Sequence, residues 1–127
     1  MLYQFRKHYS RDEARSLLPQ IRGWLGQLAH QRDRIAKLET RLAPLLAQGH
    51  DVGGATVNEF LRCLAQFKAL LNEFRTREIQ VKDLDRGLID FPALLGGREV
   101  FLCWEQDEDD IEFWHDLDAG YAGRERL

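Results

Sequence analysis

The hydrophobic period of this chain changes once, near residue 80, from about 3.6 to about 2, and no other feature constrains its fold as much. Before the change, Leu18, Ile21, Leu25, Leu28, Ile35, Leu38, Leu42 and Leu45 recur at steps of three and four, broken once across Arg32. Ser10 and Glu13 form a capping box, so a helix is expected from Arg11. Pro19 removes a backbone donor two turns in, which predicts a short helix over 11–17 bending into a long one over 18–47. Gly23 and Gly26 weaken that helix by roughly 1 kcal/mol each relative to alanine, and Pro44 is expected to bend or end its last turn. A glycine loop is expected at 48–54. Val57, Phe60, Leu61, Leu64, Phe67, Leu70, Leu71 and Phe74 then mark a second helix over 55–79, apolar over a wider arc than one neighbouring helix covers. Two long helices with a short connection make an antiparallel αα-hairpin.

Beyond residue 80 the segments 81–83, 88–91, 98–105 and 111–116 read as short strands, and residues 2–5 as a further extended piece. Gly96-Gly97 is a two-residue hairpin turn and 106–110 a longer polar one. If residue 105 pairs with 111, then 103 faces 113 and 101 faces 115. On that register Phe101, Cys103, Phe113 and His115 share one face, and Val100, Leu102, Trp104 and Trp114 the other. Both faces are apolar and need cover: the helical hairpin can supply one, and the N-terminal segment, the C-terminal tail or a second subunit the other. The expected architecture is α+β, one domain over 1–127, with a helical hairpin at 1–80 and a β-rich part at 81–127.

Charge divides at the same place. Residues 1–82 carry 14 Lys and Arg against 8 Asp and Glu, and residues 83–127 carry 4 against 13. Such a chain can complement itself, within one molecule or between copies. The acidic half opposes nucleic-acid binding by the arginines of the helical half. No apolar run approaches the roughly 20 residues that span a bilayer, and the N-terminus lacks the apolar core of a signal peptide. Cys63 and Cys103 suggest no disulfide framework, so a reducing cytoplasm is the expected compartment.

Several strings carry a resemblance: Glu13-Ala14 and Leu17-Leu18-Pro19, Val81-Lys82-Asp83, Gly87-Leu88-Ile89-Asp90-Phe91-Pro92, Leu102-Cys103-Trp104, Trp114-His115, and Gly120-Tyr121-Ala122-Gly123-Arg124. On these the chain resembles the uncharacterised bacterial domain-of-unknown-function family 2203. One departure is the turn after Trp104, which here contains Asp107-Glu108 where the family usually reads Gly-Glu. The resemblance implies an architecture and no reaction.

The candidate binding residues are Asp90, Trp104, Trp114, His115 and Arg124. Asp90 and His115 are polar groups among apolar strand residues, where an unpaired side chain costs about 1–3 kcal/mol, so they need partners. Arg124, on the turn at 120–123, can hold a carboxylate bidentately, and Asp90 is the expected one. Trp104, Trp114 and Tyr121 with Arg124 suggest an aromatic binding surface, and equally a sheet core. Asp83, Asp85 and Asp90 read as an acidic turn paired with arginines, and 107–110 as a solvated turn. No catalytic residue, metal ligand or cofactor is assigned from these patterns. The expected function is a non-enzymatic cytoplasmic interaction module that self-associates, as a homodimer or larger, or binds a protein partner through helix two and the aromatic sheet face. The alternative is a metal-binding protein or metal-dependent enzyme using Cys103, His115 and nearby carboxylates. Membrane association is not expected, and a nucleic-acid partner is disfavoured.

Overall fold

The computed structural model describes residues 2–49 and 54–127; Met1 and positions 50–53, the middle of the expected glycine loop, lie outside the described residues. The elements are α1 (Arg11–Ala47), α2 (Ala55–Arg75), β1 (Gln80–Asp83), β2 (Leu88–Leu95), β3 (Arg98–Glu105), β4 (Phe113–Asp116), a 3-10 turn (Tyr121–Gly123) and β5 (Glu125–Arg126). The fold is α+β, a long antiparallel αα-hairpin and a five-stranded antiparallel sheet in sequential order. By compactness the chain divides into two units. Met1–Leu25 with Glu73–Leu127 holds the whole sheet, and Gly26–Asn72 holds the C-terminal part of α1 and most of α2.

The capping box at the start of α1 is formed: Glu13 N–H donates to Ser10 Oγ, and Ser10 N–H donates back to the Glu13 carboxylate, each at 3.1 Å. The segments expected at 11–17 and 18–47 are one continuous helix, Arg11–Ala47, with Pro19 in its interior. Pro19 is exposed, so the carbonyl one turn before it that loses its donor stands on the solvent side, while Ala14, Leu18 and Ile21 are buried and pack that turn. Pro44 likewise lies inside the helix, and its carbonyl accepts from Gln48 N–H at 3.1 Å. Helix α2 stops at Arg75, four residues before the expected end. Glu78 takes a left-handed φ of 58°, and Ile79 N–H turns back to the Phe74 carbonyl at 3.0 Å, which closes the helix and aims the chain into β1.

The β2–β3 turn is the expected Gly96-Gly97, with φ of 59° and 81°. Two consecutive positive φ values define the turn whose twist matches a hairpin, and only glycine adopts them without strain. The pairing follows the expected register, with Cys103 opposite Phe113 and Phe101 opposite His115. On β2, Asp90 faces Cys103 and Pro92 faces Phe101. Asp90 and His115 therefore flank β3 one residue pair apart on one face, while Trp104 and Trp114 project from the other.

The sheet unit covers both of its faces with its own chain. On the Trp104 face, the Tyr9 ring meets Phe91 at 5.5 Å and the Arg22 guanidinium lies 4.9 Å over Trp104. On the His115 face, Phe5 packs on Phe101 at 5.4 Å. Residues 2–5 form no strand. Their donors go to a side chain instead: Gln4 and Phe5 N–H donate to the Glu99 carboxylate at 2.8 and 3.0 Å, and His8 Nε2 meets the same carboxylate at 2.8 Å. The acidic 106–110 turn is held by basic residues of α1, with Arg15 bonded to Asp110 at 2.7 and 3.0 Å and Arg22 donating to the Gln106 and Glu108 carbonyls. The charge asymmetry is thus satisfied in part within one unit.

Candidate functional site

Three adjacent strands each place one reactive side chain on the His115 face: Asp90 from β2, Cys103 from β3 and His115 from β4. All three are buried, with Asp90 and His115 each only 2% exposed. One donor atom from each lies within 4.8 Å of the other two. His115 Nε2 is 3.0 Å from Asp90 Oδ2, and its Nδ1 is 2.7 Å from the Asp116 carbonyl oxygen. A carbonyl only accepts, so Nδ1 carries a proton and Nε2 is the atom turned toward Asp90. The Cys103 thiol, a weak donor, also acts on the Asp90 carboxylate. Asp90 Oδ1 nevertheless has no hydrogen-bond partner of ordinary geometry.

Burial dominates the chemistry here. It pushes the Asp90 carboxyl above the usual carboxylate range, against the opposing pull of His115, Lys82 and Cys103. Burial, reinforced by the Asp90 charge, pushes the Cys103 thiol up to about 12 against the pull of Arg124. At neutral pH such a thiol is protonated and is no activated nucleophile.

Asp90 and His115 line a pocket of about 280 Å³ together with Lys82, Leu88, Leu117, Asp118, Ala119, Gly120 and Tyr121. Asp90, whose Oδ1 lacks a partner of ordinary geometry, is thus part of the lining of a pocket that opens on the molecular surface. Lys82, exposed on β1, makes no ion pair among the described residues and lies 5.0 Å over the Phe101 ring.

Arg124 stands on the same face, with its Nη1 3.9 Å from Cys103 Sγ. The carboxylate it holds is that of Glu108, at 3.2 and 2.8 Å, not Asp90 as its chemistry suggested. Glu108 comes from the 106–110 turn, which curls back rather than standing free in solvent. Its carboxylate also accepts from Glu105 N–H at 2.9 Å, and its carbonyl accepts from Trp104 Nε1 at 2.9 Å. The Arg124 guanidinium is sandwiched between Phe113 and Tyr121, at 3.9 and 4.2 Å.

Of the five candidate residues, Asp90, His115 and Arg124 share a face, and Trp104 and Trp114 occupy the opposite one. Trp104 is fully buried in the core, and Trp114 is half-buried with Arg98 5.5 Å over its ring. They supply no open aromatic floor beside the cluster. Cys103 and Lys82 were not among the five. The pairing of 103 with 113 and 101 with 115 already placed Cys103 beside His115; only the partner of Asp90 across β2–β3 was missing.

Residues 7–127 match the family described as uncharacterized conserved protein (DUF2203). The chain belongs to this family. The matched span contains the sheet, the buried cluster and every residue of its pocket. No curated protein and no solved structure matches the chain. Among the described residues no helix is long and apolar enough to cross a membrane.

Proposed function

We propose that this member of DUF2203 is a ligand-binding module whose site is the pocket over Asp90 and His115. The observation that carries the reading is the buried Asp90, a pocket-lining residue whose Oδ1 has no hydrogen-bond partner of ordinary geometry. Leaving such an atom unsatisfied costs about 1–3 kcal/mol, more for a charged group. A ligand that engages it recovers that cost. A protonated, buried thiol favours binding over nucleophilic catalysis. The test is a thermal-unfolding screen of small anions, amines and divalent cations on the wild-type chain and on Leu117→Trp, which fills the pocket from its wall. A ligand at a hundred times its Kd stabilises by about 2.7 kcal/mol, which raises Tm on the order of 5–10 °C. The expected result is such a rise in the wild type and its loss in Leu117→Trp. A rise of equal size in both proteins contradicts the reading.

A second reading concerns self-association, and the helical unit favours it. Leu61 is 55% and Leu46 60% exposed, and Leu71 and Leu45 are exposed as well, while Phe60 and Phe67 are only half-buried. This leaves the wide apolar arc of α2 available to a second copy. Because the sheet unit covers itself, α2 is the face through which a homodimer forms. Light scattering at micromolar concentration that reports only 14.8 kDa contradicts this reading. Two free, buried cysteines suit a reducing cytoplasm.

A further inference from the structure

We propose that Asp90, Cys103 and His115 are the ligands of one zinc-class divalent cation, with the pocket as the open side of its coordination. The proposal names the ligand class for the pocket and rests on that site being a binding site. The donor set is the first argument. Carboxylate, thiolate and imidazole together suit a borderline cation, whereas calcium and magnesium take oxygen donors. Ligands about 2.0–2.3 Å from a tetrahedral centre lie roughly 3.3–3.7 Å from one another. The three donor atoms already lie within 4.8 Å, so closure asks for about 1 Å of side-chain movement, with a slight opening of the 3.0 Å Asp90–His115 pair.

The surroundings supply the second argument. The Nδ1–H of His115 is anchored to the Asp116 carbonyl at 2.7 Å, which fixes the ring and presents Nε2, the arrangement that orients a ligating imidazole. Asp90 Oδ1 is orphaned although the residue is 2% exposed. Arg124 stands 3.9 Å from Cys103 Sγ, where a cationic donor stabilises a thiolate, and Glu108 balances its charge.

Charge is conserved in the exchange. Nε2 and Oδ2 at 3.0 Å need a proton between them, because Nδ1 already holds its own. With the Cys103 thiol protonated, the three side chains are neutral together. On binding, the thiol proton and the shared Asp90–His115 proton leave to solvent, and bonds form from the cation to Asp90 oxygen, Cys103 Sγ and His115 Nε2. Two protons are exchanged for one dication and the buried cluster stays neutral, so no net charge is added to the interior.

Cobalt(II) titration of the full chain tests this, read by the near-ultraviolet thiolate-to-cobalt charge-transfer band and by calorimetry in buffers of different ionisation enthalpy. The expected result is one cobalt per chain with the band present, close to two protons released, and zinc displacing the cobalt. The band should survive in Cys63→Ser and disappear in Cys103→Ser. If Cys103→Ser does not fold, Cys63→Ser alone decides, since the chain has only these two cysteines. Absence of the band at stoichiometric cobalt, or its loss in Cys63→Ser, overturns the metal assignment. Loss of small-molecule responses in Leu117→Trp without any cobalt band would overturn the metal assignment alone and leave the pocket as the binding site.

Discussion

The sequence of the helical unit is at least as apolar as that of the sheet unit, yet it is buried to a smaller extent. In the sheet unit Ile89, Phe91, Val100, Cys103, Trp104 and Ile111 are all at 0% exposure. Among the described residues of Gly26–Asn72 only Leu28, Leu38, Leu42 and Cys63 are buried, and the aromatic residues of α2 there stay half-exposed. The difference teaches where a polar cluster is informative. The helical unit also holds a buried polar atom without a partner, Gln31 Oε1, but there it is one neutral amide oxygen with no second reactive side chain grouped with it among the described residues. In the sheet the orphaned oxygen belongs to a carboxylate grouped with a thiol and an imidazole at a pocket, and that combination points to a ligand.

The largest expected effect lies in the sheet. Phe91→Ala removes a fully buried ring and is expected to cost about 3–5 kcal/mol, measured by denaturant unfolding. Phe67→Ala in α2 removes a half-buried ring and is expected to cost about 1–2 kcal/mol, in proportion to the area already exposed. A cost for Phe67→Ala equal to that for Phe91→Ala breaks the comparison.

Ion pairs sharpen the contrast at a smaller scale. Arg124 is held bidentately by Glu108, with both side chains about 85% buried, and is stacked between two rings. Arg124→Ala is expected to cost about 2 kcal/mol. The Arg34–Glu59 pair of the helical unit is more than a third exposed on one side and about that on the other, so Arg34→Ala is expected to cost less than about 1 kcal/mol. Double-mutant cycles on the two pairs give the coupling energies directly.

The distribution of what was legible follows the range of the interactions. The α1 capping box, the Gly96-Gly97 turn and the pairing of 101 with 115 and 103 with 113 all depend on residues near in sequence, and each was readable from spacing. The helix continues through Pro19 because the cost of one lost hydrogen bond is local, whereas the burial of Ala14, Leu18 and Ile21 that outweighs it comes from tertiary packing. The N-terminal segment reads as an extended piece, but the backbone donors of Gln4 and Phe5 go to the Glu99 carboxylate, more than ninety positions away. Asp90 and His115 stood out as polar residues in apolar strands. Arg124 was assigned the wrong carboxylate because the turn bearing Glu108 reads as solvated until its fold is seen.

The smallest expected effect is pH-dependent and concerns the N-terminal cover of the sheet. Burial pushes the Glu99 carboxyl up, but His8 and the N–H groups of Gln4 and Phe5 outweigh it and hold the group below its usual range. A depressed carboxyl contributes stability that is present above the unfolded value, about 4.3, and lost as pH falls through the lower folded value. Glu99→Gln should therefore lower Tm at pH 7 and match the wild type more closely in strong acid. An unchanged difference across that range contradicts this role for Glu99.

The central claim is that the polar cluster in the best-packed part of the molecule is kept for a ligand, and the double variant Asp90→Leu/His115→Phe tests it most directly. Replacing a buried ionisable pair by apolar residues of similar size is often neutral or stabilising. Unfolding would be followed with and without added zinc, in the wild type and the variant. The expected result is a variant at least as stable as the metal-free wild type, with the zinc-induced rise in Tm present in the wild type and absent in the variant. A variant that is strongly destabilised, or that keeps the full zinc response, contradicts the claim.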